Sequence, residues 1–438
     1  MTAAVLCFLA ARAMMVPMQL ALTVKERALE IGFDLAGIAP LGVWKDLEFA
    51  RQWVEKGYGG EMRYLANSKR YDPRRLLPSA KSVICVGLMY NTAYPYSTET
   101  ETVGSRQKAE GSKRHTCDNG PRGWISRYAW GQDYHEMTRV KLQRLRAAVE
   151  QLSPGVETRA YVDTGPIVER AFARYSGMGW MGKNTCLINE AKGSWFFLGI
   201  LLTSLELEPD LPAPDRCGSC TRCLEACPTG ALVEPYVMDA SRCISYFTIE
   251  LQGSIPEQFR SKIGANVFGC DTCQDVCPWN SKSSGQLSVV SGQQAAAEMT
   301  LGCQGRKAAT TERAEFQPLH VEVASHHLGA REFPPAMDST SLLPTNSPTE
   351  SPDGESYSFS LFNPLLESLA ALSEDDFRRI FSCSPIKRTK YRGWVRNLCV
   401  AIGNSGDRRL VPWLENARKH PDPIVREHAA WARDRLRR

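Results

Sequence analysis

Eight cysteines between residues 217 and 277 constrain this chain more than any other feature. The first group reads Cys-Gly-Ser-Cys-Thr-Arg-Cys-Leu-Glu-Ala-Cys-Pro over residues 217–228, and the second reads Cys-Asp-Thr-Cys-Gln-Asp-Val-Cys-Pro over residues 270–278. The first group has the C-x2-C-x2-C-x3-C-P spacing of bacterial ferredoxins, in which three thiolates hold one 4Fe–4S cluster and the fourth serves a second cluster. The spacing therefore predicts a pair of 4Fe–4S clusters.

The second group is one cysteine short of a full run, and Cys243 between the groups can supply the missing thiolate. In ferredoxins the fourth cysteine of each group binds the cluster of the other group, and the same rule assigns the ligands here. We expect cluster one to be held by Cys217, Cys220, Cys223 and Cys277, and cluster two by Cys227, Cys243, Cys270 and Cys273. Two clusters within one fold should lie close enough to pass single electrons.

Two other uses of these cysteines compete with clusters. Disulfides require an oxidising compartment, and the sequence offers no convincing export signal. Paired four-cysteine zinc sites are the stronger rival, but two successive x2 spacings followed by x3-C-P favour a cubane cluster. The remaining, scattered cysteines are predicted to be small apolar residues rather than ligands: Cys7, Cys85, Cys117, Cys186, Cys303, Cys383 and Cys399.

Charge is unevenly distributed along the chain. Its 438 residues exceed one average domain, so two or three domains are expected. The formal net charge is only +5, yet residues 384–438 contain 14 Lys and Arg against 5 Asp and Glu. This basic module indicates a polyanionic partner, most simply a nucleic acid, although a solvated helix face has the same composition.

The first half of the chain alternates helix and strand patterns. Residues 1–22 are apolar but interrupted by Arg12, so they predict an apolar extension rather than a membrane span. A helix ending at Gly32 follows. Apolar patterns then predict strands over 34–39, 82–88, 158–162 and 195–202 and a helix over 134–152. A glycine-rich turn over 177–184 would allow close backbone approach to a ligand, but it lacks the spacing of a dinucleotide or phosphate loop.

The second half contains polar and helical segments. Residues 281–358, like residues 94–121 earlier, are rich in polar residues and are predicted to be mobile surface insertions. Beyond them, helices are predicted within 394–406, ending at glycine, over 410–417 and over 423–436, in a pattern typical of HEAT repeats. One or two such units cannot bury their apolar faces alone, so we expect this module to pack on the cluster domain.

Several motifs in combination resemble the epoxyqueuosine reductase family. They are Ile-Ser-Arg-Tyr at 125–128, Asp-Tyr-His at 133–135, Tyr-Val-Asp-Thr-Gly-Pro-Ile-Val-Glu-Arg at 161–170, Gly-Trp-Met-Gly-Lys-Asn at 179–184 and Cys-Ile-Ser-Tyr-Phe-Thr-Ile-Glu at 243–250, together with the cysteines and the basic tail. The resemblance runs from about residue 23 to residue 438, apart from the two insertions. That family performs the last step in making queuosine, a modified base at the tRNA wobble position.

The resemblance implies a cobalamin in addition to the two 4Fe–4S clusters, resting as cob(II)alamin and active as cob(I)alamin. It also implies a cytoplasmic monomer without membrane contact. This monomer would act on tRNA carrying epoxyqueuosine and take electrons from a flavodoxin- or ferredoxin-type donor. The chain has no Asp-x-His-x-x-Gly motif, so a histidine ligand to cobalt is not indicated.

The resemblance also assigns roles to individual residues. Asp163 matches the proton donor of the family, which protonates the oxygen of the opened epoxide; without the resemblance it would be a turn residue before Thr-Gly-Pro. Cobalamin contacts are implied at Asn67, Ser126, Asp163, Leu187, Leu198 and Ser245, and a tRNA contact at Gln252. Leu187 and Leu198 could equally be core residues. Arg392 and Arg396 are expected among the cations of the tail that face tRNA.

The combined interpretation is an α+β protein of consecutive domains. An apolar extension over 1–22 precedes an α/β cobalamin-binding catalytic domain over 23–207, which contains the insertion 94–121. A ferredoxin-like double 4Fe–4S domain over 208–280, a low-complexity linker over 281–358 and a basic HEAT-like helical module over 359–438 follow.

Two other functions fit parts of this pattern. A reductive dehalogenase also combines cobalamin with two such clusters, but it would usually carry a twin-arginine export signal and would not need the basic tail. A ferredoxin-type electron-transfer protein would leave the large N-terminal region unexplained.

Overall fold

A computed structural model describes residues 3–42, 45–100, 120–280, 310–324 and 356–438. The helices are α1 (Ala3–Glu30), α2 (Lys45–Glu55), α3 (Tyr134–Leu152), α4 (Glu169–Tyr175), α5 (Arg222–Ala226), α6 (Glu257–Ile263), α7 (Thr272–Asp275), α8 (Leu366–Ala370), α9 (Glu374–Ile380), α10 (Lys390–Ser405), α11 (Val411–Ala417) and α12 (Pro423–Arg437). The strands are β1 (Leu35–Pro40), β2 (Ser82–Met89), β3 (Trp124–Ile125), β4 (Thr158–Tyr161), β5 (Trp180–Met181), β6 (Leu187–Ile188), β7 (Phe196–Thr203), β8 (Leu232–Glu234), β9 (Val237–Met238), β10 (Asn266–Phe268), β11 (His320–Ala324) and β12 (Ser356–Ser360).

The chain forms two compact units, each assembled from non-consecutive segments. The first unit comprises Met1–Ala93, Asp133–Ser241 and Thr272–Arg313. The second unit comprises Tyr94–Gln132, Arg242–Asp271 and Ala314–Arg438. Residues 208–280, expected to form one ferredoxin-like domain, are therefore divided between the units. Contacts between segments that are distant in sequence decide this grouping, and such contacts cannot be predicted from local sequence patterns.

The first unit is built on a four-stranded sheet with the order β1-β2-β7-β4. The structure confirms the strands predicted at these four places and the helix predicted over 134–152. β2 and β7 occupy the interior, and the apolar composition of both matches that position. Every neighbouring pair is antiparallel. This unit is therefore of α+β type, and the expected α/β arrangement for it is wrong.

Helices cover both faces of this sheet. Cys85 of β2 and Ile200 of β7 lie opposite each other and belong to a buried cluster with Phe172 of α4. Gly199, the next residue along β7, points to the other face, where a Cβ atom would lie 3.2 Å from Leu142 of α3. The period of two in the strands thus directs alternate residues to α4 and to α3.

The N-terminal region of the first unit is one helix. α1 runs from Ala3 to Glu30, so the expected extension and the helix expected after it are continuous. The chain leaves the helix through Gly32, whose φ of 96° suits glycine, and Val24 and Ala28 are fully buried. In the part of the chain that the structure describes, no helix has the length and apolarity needed to cross a bilayer.

The described parts of both expected insertions are packed rather than mobile. Tyr96 is buried in the second unit, where the guanidinium group of Arg127 lies 5.0 Å from its ring centroid. Arg313 pairs with Asp34 of the first unit at 2.5 Å. β11 and β12 pair as an antiparallel ladder. The prediction of mobile segments is wrong for these residues, and the rest of both insertions, 101–119, 281–309 and 325–355, lies outside the described residues.

The second unit is organised around α10, which packs on β10 and on α12. Arg396 of α10 is buried and donates to the carbonyl oxygens of Phe247 at 2.6 Å and Leu251 at 2.7 Å. Asn397 donates to the carbonyl oxygens of Thr248 at 2.8 Å and Val267 at 2.9 Å. The C-terminal helices therefore hold the segment 242–271, which agrees with the expectation that they pack on part of the cluster region.

Two expectations for the C-terminal module have different outcomes. α10 ends at Ser405, and Gly406 follows with φ of 70°, which confirms a helix ending at glycine. Arg396 is only 2% exposed, so its expected role as a cation facing tRNA is wrong. Its guanidinium group satisfies backbone carbonyls inside the unit instead. The HEAT-like arrangement of these helices stays a prediction.

His428 of α12 predicts an acid-sensitive step in the stability of the second unit. Its Nε2 accepts the Ile255 amide at 3.1 Å and its Nδ1 contacts the Ile424 carbonyl at 2.7 Å, so the ring is held neutral. Burial, followed by the charge of Arg260, lowers the pKa of His428 to about 4. An unfolded histidine titrates near pH 6.5. The unfolded state therefore binds more protons between these values, and the free energy of unfolding should fall by up to about 3 kcal/mol as the pH drops through this window.

Denaturant unfolding at pH 7.5 and pH 5 would check this expectation. The loss of stability should be clearly smaller in His428→Gln than in the wild type. His320→Gln changes an exposed histidine and serves as the control. An equal pH dependence in wild type and His428→Gln would contradict the assignment.

Candidate active site and cluster segment

Asp163 lies on a short loop directly after β4 in the first unit. Its φ of 51° is a left-handed conformation that is uncommon outside glycine. Its side chain is 44% exposed and lines a cavity of about 760 Å³. A strained, half-exposed carboxyl group at a cavity is typical of a functional position.

Two side chains from the start of α3 contact this carboxyl group. The Tyr134 hydroxyl donates to Asp163 Oδ2 at 2.9 Å, and His135 Nε2 lies 3.3 Å from the same oxygen. The Tyr134 ring stacks on Phe197 with centroids 4.0 Å apart, so its hydroxyl is held in place. The Asp-Tyr-His run at 133–135 is one of the motifs that carry the family resemblance, but its residues had no predicted role. Its presence among the quoted motifs was the signal that could have linked it to Asp163.

His135 connects two carboxylates. Its Nδ1 lies 2.6 Å from Asp133 Oδ1, and its Nε2 faces Asp163. Burial alone would lower the pKa of His135, but the hydrogen bonds to Asp133 and Asp163 outweigh it and raise the pKa to about 9. The imidazole is therefore a cation at neutral pH and can hold a proton next to Asp163.

Glu169, the first residue of α4, and Arg70 both bind the backbone of the loop that carries Asp163. Glu169 Oε1 accepts the backbone N–H of Asp163 at 2.6 Å. Arg70 donates to the carbonyl oxygen of Gly165 in the same loop at 3.1 Å. Burial, and then the charge of Asp163, raises the pKa of Glu169 to about 8. These two contacts hold the loop in the conformation that turns Asp163 toward the cavity.

The cavity next to Asp163 has apolar and cationic walls. Phe49, Trp53 and Tyr64 line it, and Phe49 and Tyr64 are unusually exposed for large apolar side chains, at 45% and 53%. Arg70 and Arg170 supply positive charge. A concave, mostly apolar site with a few polar groups is the usual form of a small-molecule site.

Three of the residues implied as cobalamin contacts lie with Asp163 in the first unit. Asn67 is exposed between two 3-10 turns, Arg63–Ala66 and Ser68–Tyr71, next to the cavity-lining Leu65. Leu187 is buried in the core under the sheet, and Leu198 packs partly buried against the same core. Their contact with cobalamin stays a prediction.

The other implied contact residues lie in the second unit. Ser126 is buried and its hydroxyl contacts the carboxylate of Asp271, the residue after Cys270. Ser245 directly precedes a single π-helical turn, Tyr246–Glu250. Gln252 is exposed, and its carbonyl oxygen accepts a hydrogen bond from Arg392 at 2.7 Å. The roles of Ser126, Ser245 and Gln252 toward cobalamin and tRNA also stay predictions.

Thiols expected to hold cluster one lie near one another in the first unit. Cys217, Cys220 and Cys223 come from the loop before α5 and its start, and Cys277 follows α7; all lie in the first unit. Burial raises the pKa of the Cys277 thiol to about 12, and the nearby thiols of Cys217 and Cys223 add to the shift. Cys217 packs against Cys277 although 60 positions of sequence separate them, and the ligand set of cluster one stays a prediction.

The four thiols expected to hold cluster two are divided between the units. Cys227 and Cys273 belong to the first unit, and Cys243 and Cys270 belong to the second. The Cys227 sulfur accepts the amide of Ala231 at 3.3 Å, a contact that also suits a thiolate bound to iron. This ligand set stays a prediction.

The glycine-rich turn over 177–184 serves the packing of the first unit. Gly177 has φ of 72°, and a Cβ atom on Gly179 would lie 2.2 Å from the carbonyl oxygen of Ile188. The close approach expected for a ligand is therefore made by the neighbouring strand β6. Asn184, at the end of the turn, donates to the carbonyl oxygen of Cys273 at 3.0 Å. The turn thus contacts the cluster segment directly.

Two family models match the chain. One is described as "Epoxyqueuosine reductase QueG, DUF1730" and covers residues 70–164. The other is described as a 4Fe-4S double cluster binding domain and covers residues 216–280. The second match supports two iron–sulfur clusters on the cysteine segment and favours them over the zinc alternative.

Curated relatives cover nearly the whole chain. The epoxyqueuosine reductase of Escherichia coli is 34% identical over 417 residues, which are 94% of this chain and 89% of that protein. The epoxyqueuosine reductase of Xanthomonas campestris is 33% identical over 420 residues, 95% of this chain and 96% of that protein.

Solved structures agree with these matches. An epoxyqueuosine reductase in complex with an epoxyqueuosine-modified tRNA-Tyr stem loop has a TM-score of 0.69 and 29% identity, covering 95% of this chain and 90% of that one. Epoxyqueuosine reductase from Bacillus subtilis, with its catalytic aspartate loop swung out of the active site, has a TM-score of 0.70 and 28% identity, with the same coverage.

A chain with a double 4Fe–4S cluster domain and curated reductase relatives over nearly its whole length is an iron–sulfur oxidoreductase. Relatives above 30% identity cover more than nine tenths of its length. The chain belongs to the epoxyqueuosine reductase family, as its motifs predicted, and it reduces epoxyqueuosine to queuosine.

Proposed function

We propose that the chain carries out this reduction on tRNA, at the wobble position, with Asp163 as the proton donor and cobalamin as a cofactor beside the two clusters. The observation that carries the proposal is the half-exposed Asp163 carboxyl group at the cavity, bonded by Tyr134 and His135. An electron donor of flavodoxin or ferredoxin type and a cytoplasmic monomer complete the proposal.

The lining of the cavity beside Asp163 suits part of a corrinoid. Its volume of about 760 Å³ lies within the range of small-molecule sites. Its exposed aromatic rings would cover an apolar macrocycle, and its arginines would meet a phosphate or amide oxygen. Asp163 lines this cavity, and the family resemblance adds Asn67, Leu187 and Leu198 as further residues of the first unit that would hold the cofactor, although none of these three is among the cavity-lining side chains. Cobalamin, when bound, supplies a centre that stores two electrons, which one-electron clusters cannot do.

Removal of the epoxide oxygen breaks both of its C–O bonds and consumes two electrons and two protons, with water as the second product. The cationic His135 next to Asp163 Oδ2 can supply a proton to the carboxylate. Asp163 can pass this proton to the epoxide oxygen, because its carboxyl group is exposed at the cavity. Tyr134 orients Asp163 Oδ2 by donating to it.

Two observations support tRNA as the carrier of the substrate. The tail over 384–438 has 14 basic against 5 acidic residues, and a nucleic-acid backbone is the polyanion that such a surface binds. A related epoxyqueuosine reductase has been solved with an epoxyqueuosine-modified tRNA stem loop. Arg392 is partly exposed next to Gln252, so this part of the tail can face the tRNA even though Arg396 cannot.

A conversion assay tests the proposal. Anaerobically purified protein with iron, sulfide, cobalamin and a chemical reductant should convert epoxyqueuosine in tRNA to queuosine, measured by mass spectrometry of the digested nucleosides. Omission of cobalamin should abolish the conversion, and the free nucleoside should react far more slowly than the tRNA. Protein that dehalogenates a small organohalide but leaves the modified tRNA unchanged would overturn the proposal in favour of the dehalogenase alternative.

A further inference from the structure

Lys183 occupies an unusual position for a lysine, inside the first unit against the cysteine loop. It follows β5 in the glycine-rich turn and is only 9% exposed. Its Nζ donates to the carbonyl oxygens of Gly218 at 2.6 Å and Cys220 at 3.0 Å. Lysine is rarely buried, because its ammonium group loses hydration that only hydrogen bonds or an opposite charge can replace.

The backbone of Lys183 reaches the same loop. Its amide donates a hydrogen bond to the Cys217 sulfur. Its carbonyl oxygen accepts the amide of Tyr236 at 3.1 Å, which fixes the backbone from the other side. Main-chain and side-chain groups of one residue therefore contact the loop that carries three of the four thiols expected to hold cluster one.

Asp215 and Arg216 near this loop are more exposed, whereas the carboxyl group of Asp275 in α7, which packs against α5, is buried like Lys183. Asp215 accepts the Cys217 amide at 2.7 Å and the Tyr236 hydroxyl at 2.6 Å, at the surface of the unit. Arg216 pairs with Glu190 at 3.1 Å, and both side chains are more than 40% exposed. Water and salt screen exposed charges strongly and buried charges weakly. The ammonium group of Lys183 is therefore screened less than the charges of Asp215 and Arg216 and acts more strongly on the cysteine loop.

We propose that Lys183 is a positioning residue for cluster one that also raises the reduction potential of this cluster. The ammonium group holds the loop through Gly218 and Cys220, which places its fixed positive charge next to the thiolates. A one-electron reduction adds one negative charge to the cluster. A nearby buried cation stabilises the reduced form more than the oxidised form, so reduction becomes easier. Hydrogen bonds and charges around a metal centre are known to shift its reduction potential in this way.

The inference rests on the proposed cluster ligands but not on the substrate. Its test measures a potential, not turnover. A failed conversion of tRNA would count against the proposed function alone, and an unchanged potential in the variants would count against the role of Lys183 alone.

An electron paramagnetic resonance redox titration of the anaerobically reconstituted protein, without cobalamin, tests the proposal. Lys183→Gln keeps a donor but removes the charge. It should make cluster one about tenfold harder to reduce, a shift of about 59 mV for one electron, with cluster two nearly unchanged. Lys183→Arg keeps the charge and should stay close to the wild-type potential. Lys81→Gln removes an exposed lysine of the same unit and is the matched control.

Three results would overturn the proposal. The first is a wild-type potential in Lys183→Gln at full iron content. The second is an equal shift in Lys183→Gln and Lys183→Arg, since the charge would then not be the cause. The third is a shift of the same size in Lys81→Gln. If Lys183→Gln fails to retain iron, the amide hydrogen exchange of the loop 216–222 decides. Faster exchange in Lys183→Gln than in Lys183→Arg supports the positioning role, and equal exchange overturns it.

Discussion

Asp163→Asn is expected to lower the turnover of epoxyqueuosine by about 10²- to 10⁴-fold, the usual contribution of a general acid. The amide has nearly the same shape as the carboxyl group and can still accept from Tyr134, so the loop should keep its conformation. Only the transferable proton is lost. Iron content and the visible spectrum of the clusters should therefore stay at wild-type values.

The measurement is single-turnover conversion of modified tRNA under anaerobic conditions, with cofactor content determined on the same sample. Glu206→Gln makes the same chemical change on an exposed surface residue and should turn over normally. Normal turnover in Asp163→Asn would show that another group donates the proton. His135 would then be the first candidate, because its ring is cationic and faces the same oxygen.

Cys277→Ser is expected to remove cluster one and to leave cluster two. Serine cannot replace a thiolate ligand effectively, and Cys277 is the residue of the second cysteine group that is expected to bind the cluster of the first group. Iron and sulfide should fall from about eight to about four of each per chain. The loss should fall on the cluster of Cys217, Cys220 and Cys223, although these residues are far from Cys277 in sequence.

Cys186→Ser provides the matched control for this experiment. Its thiol lies near Cys277 but outside the expected ligand set, so iron content should not change. Loss of the other cluster in Cys277→Ser would contradict the exchange of ligands between the two cysteine groups. Stoichiometric zinc without iron in the wild type would contradict both clusters.

The cysteine segment shows how much a local pattern can determine. Ligand spacing within a few residues is set by the covalent chain, so C-x2-C-x2-C-x3-C-P indicates the cluster type without any knowledge of the fold. The strands and the long helix α3 were predictable for the same reason, because apolar periodicity is local. The cavity beside Asp163 was not predictable, since its wall combines α2 with the loop after β4.

The contacts around the Asp163 carboxyl group could be found only from the tertiary structure. Asp163 was identified by family resemblance, but its partners Tyr134 and His135 lie about 30 positions earlier and meet it only because α3 begins beside the end of β4. The sequence likewise gave no indication that Glu169 contacts Asp163, because an acidic residue at the start of a helix is common. No local pattern encodes a contact between side chains on different elements.

The basic residues show the same division between sequence and structure. The sequence determined the excess of positive charge in the tail and the presence of a lysine in the glycine-rich turn. The tertiary structure decided that Arg396 and Lys183 are buried against backbone carbonyls, whereas Arg392 remains partly exposed. Composition counts charges wherever they lie, but a charge can bind a distant partner only if folding leaves it in water, and it can tune a cluster only if folding removes it from water.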